Sequence, residues 1–102
     1  MCSSKVFNER RHNIVELYIT SRQVLDQCGR QRLFQYYLTV DHIETGNFCC
    51  ENYGVRIAEP NVHSECVPAL TTSALRIDQL MTELIDNTVG PLGLRDVIED
   101  WI

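Results

Sequence analysis

The fold is decided by the stretch Leu33-Phe34-Gln35-Tyr36-Tyr37-Leu38-Thr39-Val40-Asp41-His42. Apolar and polar side chains alternate along it, and aromatic and β-branched residues, which favour strands, are frequent. Phe34, Tyr36 and Leu38 share one side of an extended chain, while Gln35 and Thr39 lie on the other. This period of two predicts a strand that turns one face toward a core.

The residues before this stretch predict a first strand. Over positions 13–20, Val15, Leu17 and Ile19 alternate with polar or aromatic residues, so we expect these three side chains to face the core. The strand can continue through positions 22–25. Positions 26–30 contain Gly29 and other turn-forming residues, which predict a reversal of the chain.

Two further strands are predicted after the central one. The turn residues at 44–47 precede an extended pattern over 48–59, in which Tyr53, Val55 and Ile57 share a face. Gly54 inside this strand indicates a bulge or a close approach of another backbone. A short fourth strand is expected near 62–67, so the order along the chain is that of an antiparallel meander.

The hydrophobic period then changes to that of a helix. One apolar stripe consists of Ile77, Leu80, Met81, Leu84 and Ile85. It predicts a helix with Ser73 or Thr72 as its N-cap and an end near Asn87. A second stripe, which predicts a C-terminal helix, consists of Leu94, Val97, Ile98 and Trp101.

A half-apolar sheet and two amphipathic helices can bury one another as two layers. The sequence therefore predicts an α+β domain, an antiparallel β-meander of about four strands packed on two C-terminal helices. The chain of 102 residues has the size of one domain. We expect a single domain over 13–102 and a flexible N-terminal segment over 1–12.

Part of the chain resembles a known family. The motifs on which the resemblance is based are Tyr53-Gly54-Val55-Arg56-Ile57, the helix with Leu80, Leu84 and Ile85, and the terminal run Val89-Gly90-Pro91-Leu92-Gly93-Leu94-Arg95-Asp96-Val97-Ile98-Glu99-Asp100-Trp101-Ile102. Over roughly residues 33–102 the chain is similar to a family of small uncharacterised proteins, a domain of unknown function from clostridia and related Firmicutes. The resemblance implies a bacterial, cytosolic origin. It assigns no functional residue.

The composition and charge of the chain indicate its compartment and the kinds of partner it can bind. The net charge is −5, and no apolar run reaches the roughly eighteen residues that a membrane helix needs. The N-terminus has no apolar segment typical of a secretory signal, so we expect a cytoplasmic protein with no membrane partner. Residues 1–50 contain six Lys/Arg and five Asp/Glu, whereas residues 51–102 contain three and nine. Such a chain does not favour nucleic-acid binding, for which only Arg10, Arg11, Arg30 and Arg32 are candidates.

The five cysteines are predicted to be free thiols, because their number is odd and their spacing forms no disulfide framework. Cys49 and Cys50 are neighbours on a strand, so their side chains point to opposite faces and cannot easily share an ion. We expect no metal and no cofactor. Cys28, near two arginines, is the first reactive-thiol candidate, and Cys49 and Cys50 are weaker ones.

No catalytic signature is present in the sequence. The pair Asp41-His42 lies on adjacent strand positions whose side chains diverge, and no Gly-rich phosphate loop follows a strand. The acidic residues Asp86, Asp96, Glu99 and Asp100 are typical of a solvated helix face. We therefore predict no catalytic residue.

Three functional hypotheses remain open. The first is a small non-catalytic interaction or regulatory module, a homodimer or the ligand of another protein, with Trp101, Tyr18 and Tyr37 as candidate interface residues. For Trp101, packing on its own core is the alternative. The second is a small-ligand-binding or thiol/His-dependent enzymatic domain that uses Cys49, Cys50, His42 or His63. The third is nucleic-acid binding.

Overall fold

The computed structural model describes residues 10–46 and 48–102, and the side-chain environments of residues 14–44, 46 and 49–102. Residues 1–9, most of the predicted flexible segment, and Asn47 lie outside this description. The elements are β1 (Arg10–Leu25), β2 (Gln31–Thr45), β3 (Phe48–Glu59), β4 (His63–Thr71), α1 (Ala74–Asp86), a 3-10 turn (Pro91–Gly93) and α2 (Leu94–Trp101). The strands pair antiparallel in the order β1-β2-β3-β4. This architecture confirms the predicted α+β meander with two C-terminal helices.

The core lies between the helices and one face of the sheet, here called the helix face. It contains Phe34 and Tyr36 of β2 together with Val55, Ile57, Ile77, Leu80, Met81, Leu84, Leu94 and Ile98. The Tyr36 side chain is fully buried, and its hydroxyl donates a hydrogen bond to the carbonyl oxygen of Val89 at 2.9 Å. Burial raises the pKa of Tyr36 to about 12. Phe34 and Tyr36 of β2 therefore face the core, as their alternation with polar residues predicts.

The first strand departs from the prediction. Val15, Leu17 and Ile19 remain 49%, 47% and 43% exposed, so the expectation that they face a closed core is wrong. The reason is the position of the helices across the sheet, because α1 packs mainly on β3 and β4. In the row of paired residues Leu17, Leu38 and Val55, Val55 of β3 is fully buried, whereas Leu17 of the outer strand is exposed. The outer strand β1 therefore extends beyond the area that the helices cover.

Gly54 marks a close approach between β3 and β4, as the sequence predicts. The register between these strands shifts between Tyr53 and Val55. A Cβ placed on Gly54 would lie 2.5 Å from the Pro68 Cα and would also overlap the Val67 carbonyl oxygen. Only glycine fits at this position without a shift of the neighbouring backbone.

The helix boundaries agree with the capping signals. The Ser73 side chain accepts a hydrogen bond from the Arg76 backbone N–H at 3.2 Å, and α1 ends with Asn87 at its C-cap. The 3-10 turn before α2 is not predicted by the sequence pattern. Its preceding residue, Gly90, lies against the Phe34 ring, where an added Cβ would be 2.9 Å from Cζ. In the part of the chain that the structure describes, neither helix has the length and apolar character needed to cross a membrane.

Candidate functional site

The free edge of β1 has many exposed apolar side chains. This strand has 16 residues and pairs on one side only, with β2. Six of its large apolar or aromatic side chains are 43% to 69% exposed: Ile14, Val15, Leu17, Tyr18, Ile19 and Leu25. Single exposed apolar residues are ordinary on proteins, but a contiguous group on an unpaired strand is typical of an interaction surface. We call this group the β1 edge.

The opposite edge of the sheet is built differently. β4 has only 9 residues, contains Pro68, and has an irregular backbone at Ala69, whose φ is 58°. Proline, short length and irregular pairing are the devices by which proteins prevent edge-to-edge pairing. β1 contains no proline, and its register with β2 shifts only between Tyr18 and Thr20. Apart from this one shift, the β1 edge offers another strand a longer ladder than β4 does.

Two predicted interface residues lie together on the face opposite the helices. The rings of Tyr18 and Tyr37 meet edge-to-face with centroids 5.7 Å apart, and the Arg56 guanidinium lies 4.1 Å from the Tyr37 centroid. Arg56 also donates to Glu16 at 2.9 Å, which ties β3 to β1 across β2. Tyr18 remains 55% exposed, so its ring is available to a partner.

The β2–β3 hairpin brings together residues that are separated in sequence. His42 pairs with Glu51, and Glu44 pairs with Cys49, which places all four on the helix face. The His42 Nε2 atom lies 3.5 Å from the Cys49 Sγ and 3.4 Å from a Glu44 carboxylate oxygen. Its Nδ1 atom lies 3.6 Å from a Glu51 oxygen. We call these four residues the hairpin cluster.

Sequence reasoning named His42 and Cys49 separately and missed Glu44 and Glu51. The signal that could have joined them is the turn around Gly46, because in an antiparallel hairpin residues equally distant from the turn face each other. Cys50, the neighbour of Cys49, lies on the other face of the strand, as predicted. The cluster therefore contains one thiol.

The other thiols lie elsewhere. Cys28 is exposed in the β1–β2 turn, where Asp26 accepts from its backbone N–H at 2.9 Å. Of the two arginines expected beside it, Arg30 lies 3.9 Å from Asp26, and Arg32 is engaged by Glu59. Cys66 is partly buried on β4, and burial raises the pKa of its thiol. The prediction of free thiols is confirmed for the four cysteines that the structure describes.

A cleft of about 350 Å³ lies at the other end of the sheet, and its charged wall is the pair Arg32 and Glu59. The guanidinium donates two hydrogen bonds to the carboxylate, at 2.9 and 2.7 Å. This bidentate pair lowers the pKa of Glu59 below its usual value. His63, at the rim, lies 3.3 Å from Glu65. Because Arg32 is already neutralised, it offers little to a phosphate group.

Trp101 is half-buried at the end of α2 and packs against the core of its own chain. The Arg76 guanidinium lies 4.4 Å from its ring.

The acidic residues predicted to form a solvated helix face are exposed: Asp86, Asp96, Glu99 and Asp100. The side chains of Arg10 and Arg11 lie outside the described part of the chain. Described groups thus form no continuous basic surface that includes Arg30 and Arg32.

The fold and these surfaces define a small two-layer α+β domain with an unprotected first strand. The chain belongs to a family of unknown function, DUF6514, whose sequence model matches residues 15–102. This match confirms the resemblance found in the sequence and extends it toward the N-terminus, into β1. Comparisons with curated proteins and with solved structures found no match.

Proposed function

We propose that the protein is a small cytoplasmic, non-catalytic interaction module that acts as a homodimer through the β1 edge. The observation that supports this proposal most directly is that a 16-residue edge strand has one unpaired side and six exposed large side chains. Pairing with another strand satisfies the free backbone groups and buries this apolar surface at once. Free cysteines at all four described positions support a reducing compartment.

A second copy of the chain fits this edge because exposed apolar residues lie on both sides of Leu17, near the middle of β1 (Arg10–Leu25). Residues directly opposite each other in an antiparallel pair share a face of the sheet. A two-fold axis at Leu17 therefore sets Leu17 opposite its own copy and Val15 opposite Ile19. Such an interface is self-complementary, as a symmetric dimer requires.

The helix face beside β1 favours the same arrangement. A cleft of about 170 Å³ lies between Ile19 of β1, Leu38 of β2 and Met81 of α1. A strand added beside β1 continues the sheet past this cleft, and its apolar side chains extend the core outward. Dimerisation would thereby cover part of the helix face that α1, which packs mainly on β3 and β4, leaves open.

The test is the mass of the full chain in solution from low micromolar to near-millimolar concentration, by sedimentation velocity. We expect a dimer with twice the chain mass of 11.8 kDa. The variant Leu17→Lys sets two ammonium groups close together at the two-fold axis. We therefore expect the dissociation constant of the dimer to rise about tenfold or more. Val62→Lys, at a 68% exposed position in the β3–β4 turn, is the matched control and should dimerise normally.

Hydrogen exchange locates the interface independently. Amides on the free side of β1 should become protected as the protein concentration rises, and those of β4 should not. The homodimer would be refuted if the wild-type chain stays monomeric at every concentration tested, even if it binds another protein. A dimer that Leu17→Lys leaves intact would refute the β1 interface.

A further inference from the structure

The hairpin cluster has the donor atoms of a metal site, and this feature is independent of dimerisation. Imidazole nitrogen, thiolate sulfur and carboxylate oxygen are the three protein ligand types that Zn²⁺ accepts. One donor atom from each of His42, Glu44 and Cys49 lies within 4.8 Å of the others. The residues come from two paired strands, so a rigid ladder rather than a loop positions them.

The distances fit the edges of a zinc tetrahedron. With Zn–N near 2.0 Å and Zn–S near 2.3 Å, a tetrahedral angle separates the nitrogen and the sulfur by about 3.5 Å. Nitrogen and oxygen ligands are separated by about 3.3 Å in the same geometry. The His42 Nε2 atom lies 3.5 Å from the Cys49 Sγ and 3.4 Å from Glu44 Oε2. These two edges fit a tetrahedral site, and the third pair of donor atoms, on Cys49 and Glu44, lies within 4.8 Å.

A further carboxylate lies beside the imidazole. Glu51 lies on the Nδ1 side of His42, at 3.6 Å, while its other oxygen accepts a hydrogen bond from the Tyr53 hydroxyl at 3.0 Å. The separation from Nδ1 is slightly longer than a hydrogen bond, so a small shift would let Nδ1–H donate to this carboxylate and would leave the Nε2 lone pair free for a metal. The bond from Tyr53 holds Glu51 on this side of the ring.

We propose that His42 Nε2, Cys49 Sγ and Glu44 bind one Zn²⁺ ion, with Glu51 as a positioning residue. The thiolate disfavours Mg²⁺ and Ca²⁺, which prefer oxygen ligands. Three protein ligands leave the fourth position of the tetrahedron for water, and the surface location gives the ion access: the side chains of His42 and Glu44 are 32% and 53% exposed. The sequence alone led to the expectation of no metal, because the paired strands that join these residues are not visible as a spacing motif.

The test is titration of the reduced, metal-free full chain with Co²⁺, followed by displacement with Zn²⁺. Cobalt bound to a thiolate gives a sulfur-to-metal charge-transfer band in the near ultraviolet, which reports the Cys49 ligand directly. We expect one Co²⁺ per chain and loss of the band when Zn²⁺ is added. Cys49→Ser should abolish the band, and His42→Ala should weaken binding strongly.

Cys50→Ser is the matched control, because it removes the adjacent thiol from the opposite face and should leave the titration unchanged. Glu51→Gln should weaken Zn²⁺ binding about 10- to 100-fold while retaining the band at saturating cobalt, as expected for a residue that acts through His42. Far-UV circular dichroism of the metal-free variants checks that each is folded. No cobalt uptake by the wild type, or a band that survives Cys49→Ser in a folded protein, would overturn the proposal.

Discussion

Replacement of Gly54 by alanine tests how closely β3 and β4 approach. The added Cβ would lie 2.5 Å from the Pro68 Cα, 2.8 Å from the Thr39 Oγ1, and closer still to the Val67 carbonyl oxygen. Ordinary carbon contacts are about 3.5 to 4.0 Å, so the β4 backbone must move by about 1 Å. The Thr39 side chain can rotate, but the two backbone groups cannot retreat without disturbing the adjacent pairing of Val55 with Val67.

Overpacking a core typically costs 1 to about 3 kcal/mol, and contacts with backbone belong at the upper end. We therefore expect Gly54→Ala to lower the free energy of unfolding by about 3 kcal/mol, a large part of the roughly 5 to 15 kcal/mol available to a domain. With a urea m-value of about 1.5 kcal/mol per molar, the unfolding midpoint falls by about 2 M.

The matched control is Gly93→Ala. There the added Cβ meets only the Val89 Cγ1 atom at 3.6 Å, an ordinary contact, and φ is −93°. We expect this variant to remain within about 1 kcal/mol of the wild type, with any gain coming from the reduced entropy of the unfolded chain. If Gly54→Ala unfolds at the same urea concentration as Gly93→Ala, the close approach of β4 to β3 is refuted.

Two further predictions concern titratable groups in the sheet. Tyr36→Phe keeps the buried ring but leaves the Val89 carbonyl without its hydrogen bond, so urea unfolding should show a loss of about 1 to 3 kcal/mol; an unchanged midpoint would contradict that bond. Because the pKa of Tyr36 rises from 10.0 in an exposed tyrosine to about 12 in the fold, the unfolded chain releases its proton first. Stability should therefore fall between pH 10 and about 12, and thermal melts of Tyr36→Phe should show a shallower decline than the wild type. At the acid end, the hydrogen bond from Arg32 holds the pKa of Glu59 below its ordinary value of 4.5. The stabilisation from this pair is present above pH 4.5 and is lost as the pH falls through the lowered value. Glu59→Gln should remove that part of the acid-induced loss, and identical acid profiles for the two proteins would show that the pair contributes nothing.

Much of the fold follows from local pattern. The alternation in β2 predicts that Phe34 and Tyr36 face the core, although Thr39 on the other face is buried as well. The stripe from Ile77 to Leu84 predicts α1, and Ser73 predicts where α1 begins. Each of these signals depends on residues close in sequence, where strand and helix periodicity apply directly. Gly90 shows the limit of this reasoning. Glycine is needed at this position because the Phe34 ring leaves no room for a Cβ atom. Phe34 lies 56 positions earlier in the chain, and no local signal connects the two residues.

The two candidate sites depend on how helices and strands are placed relative to one another, which local sequence patterns do not predict. The exposure of Leu17 is not visible in its own strand, which alternates like any strand with one buried face. It follows from where the helices lie across the sheet, because α1 packs mainly on β3 and β4. Val55 of β3 is therefore buried, while Leu17, in the same row on the outer strand, remains uncovered. The hairpin cluster is similar, because His42 and Cys49 become neighbours only once the turn at Gly46 sets the register. In this chain, the placement of α1 over β3 and β4 leaves the outer strand uncovered, and the register of the hairpin brings the ligands together. Both proposed sites therefore arise from how elements are arranged relative to one another rather than from a motif within one of them.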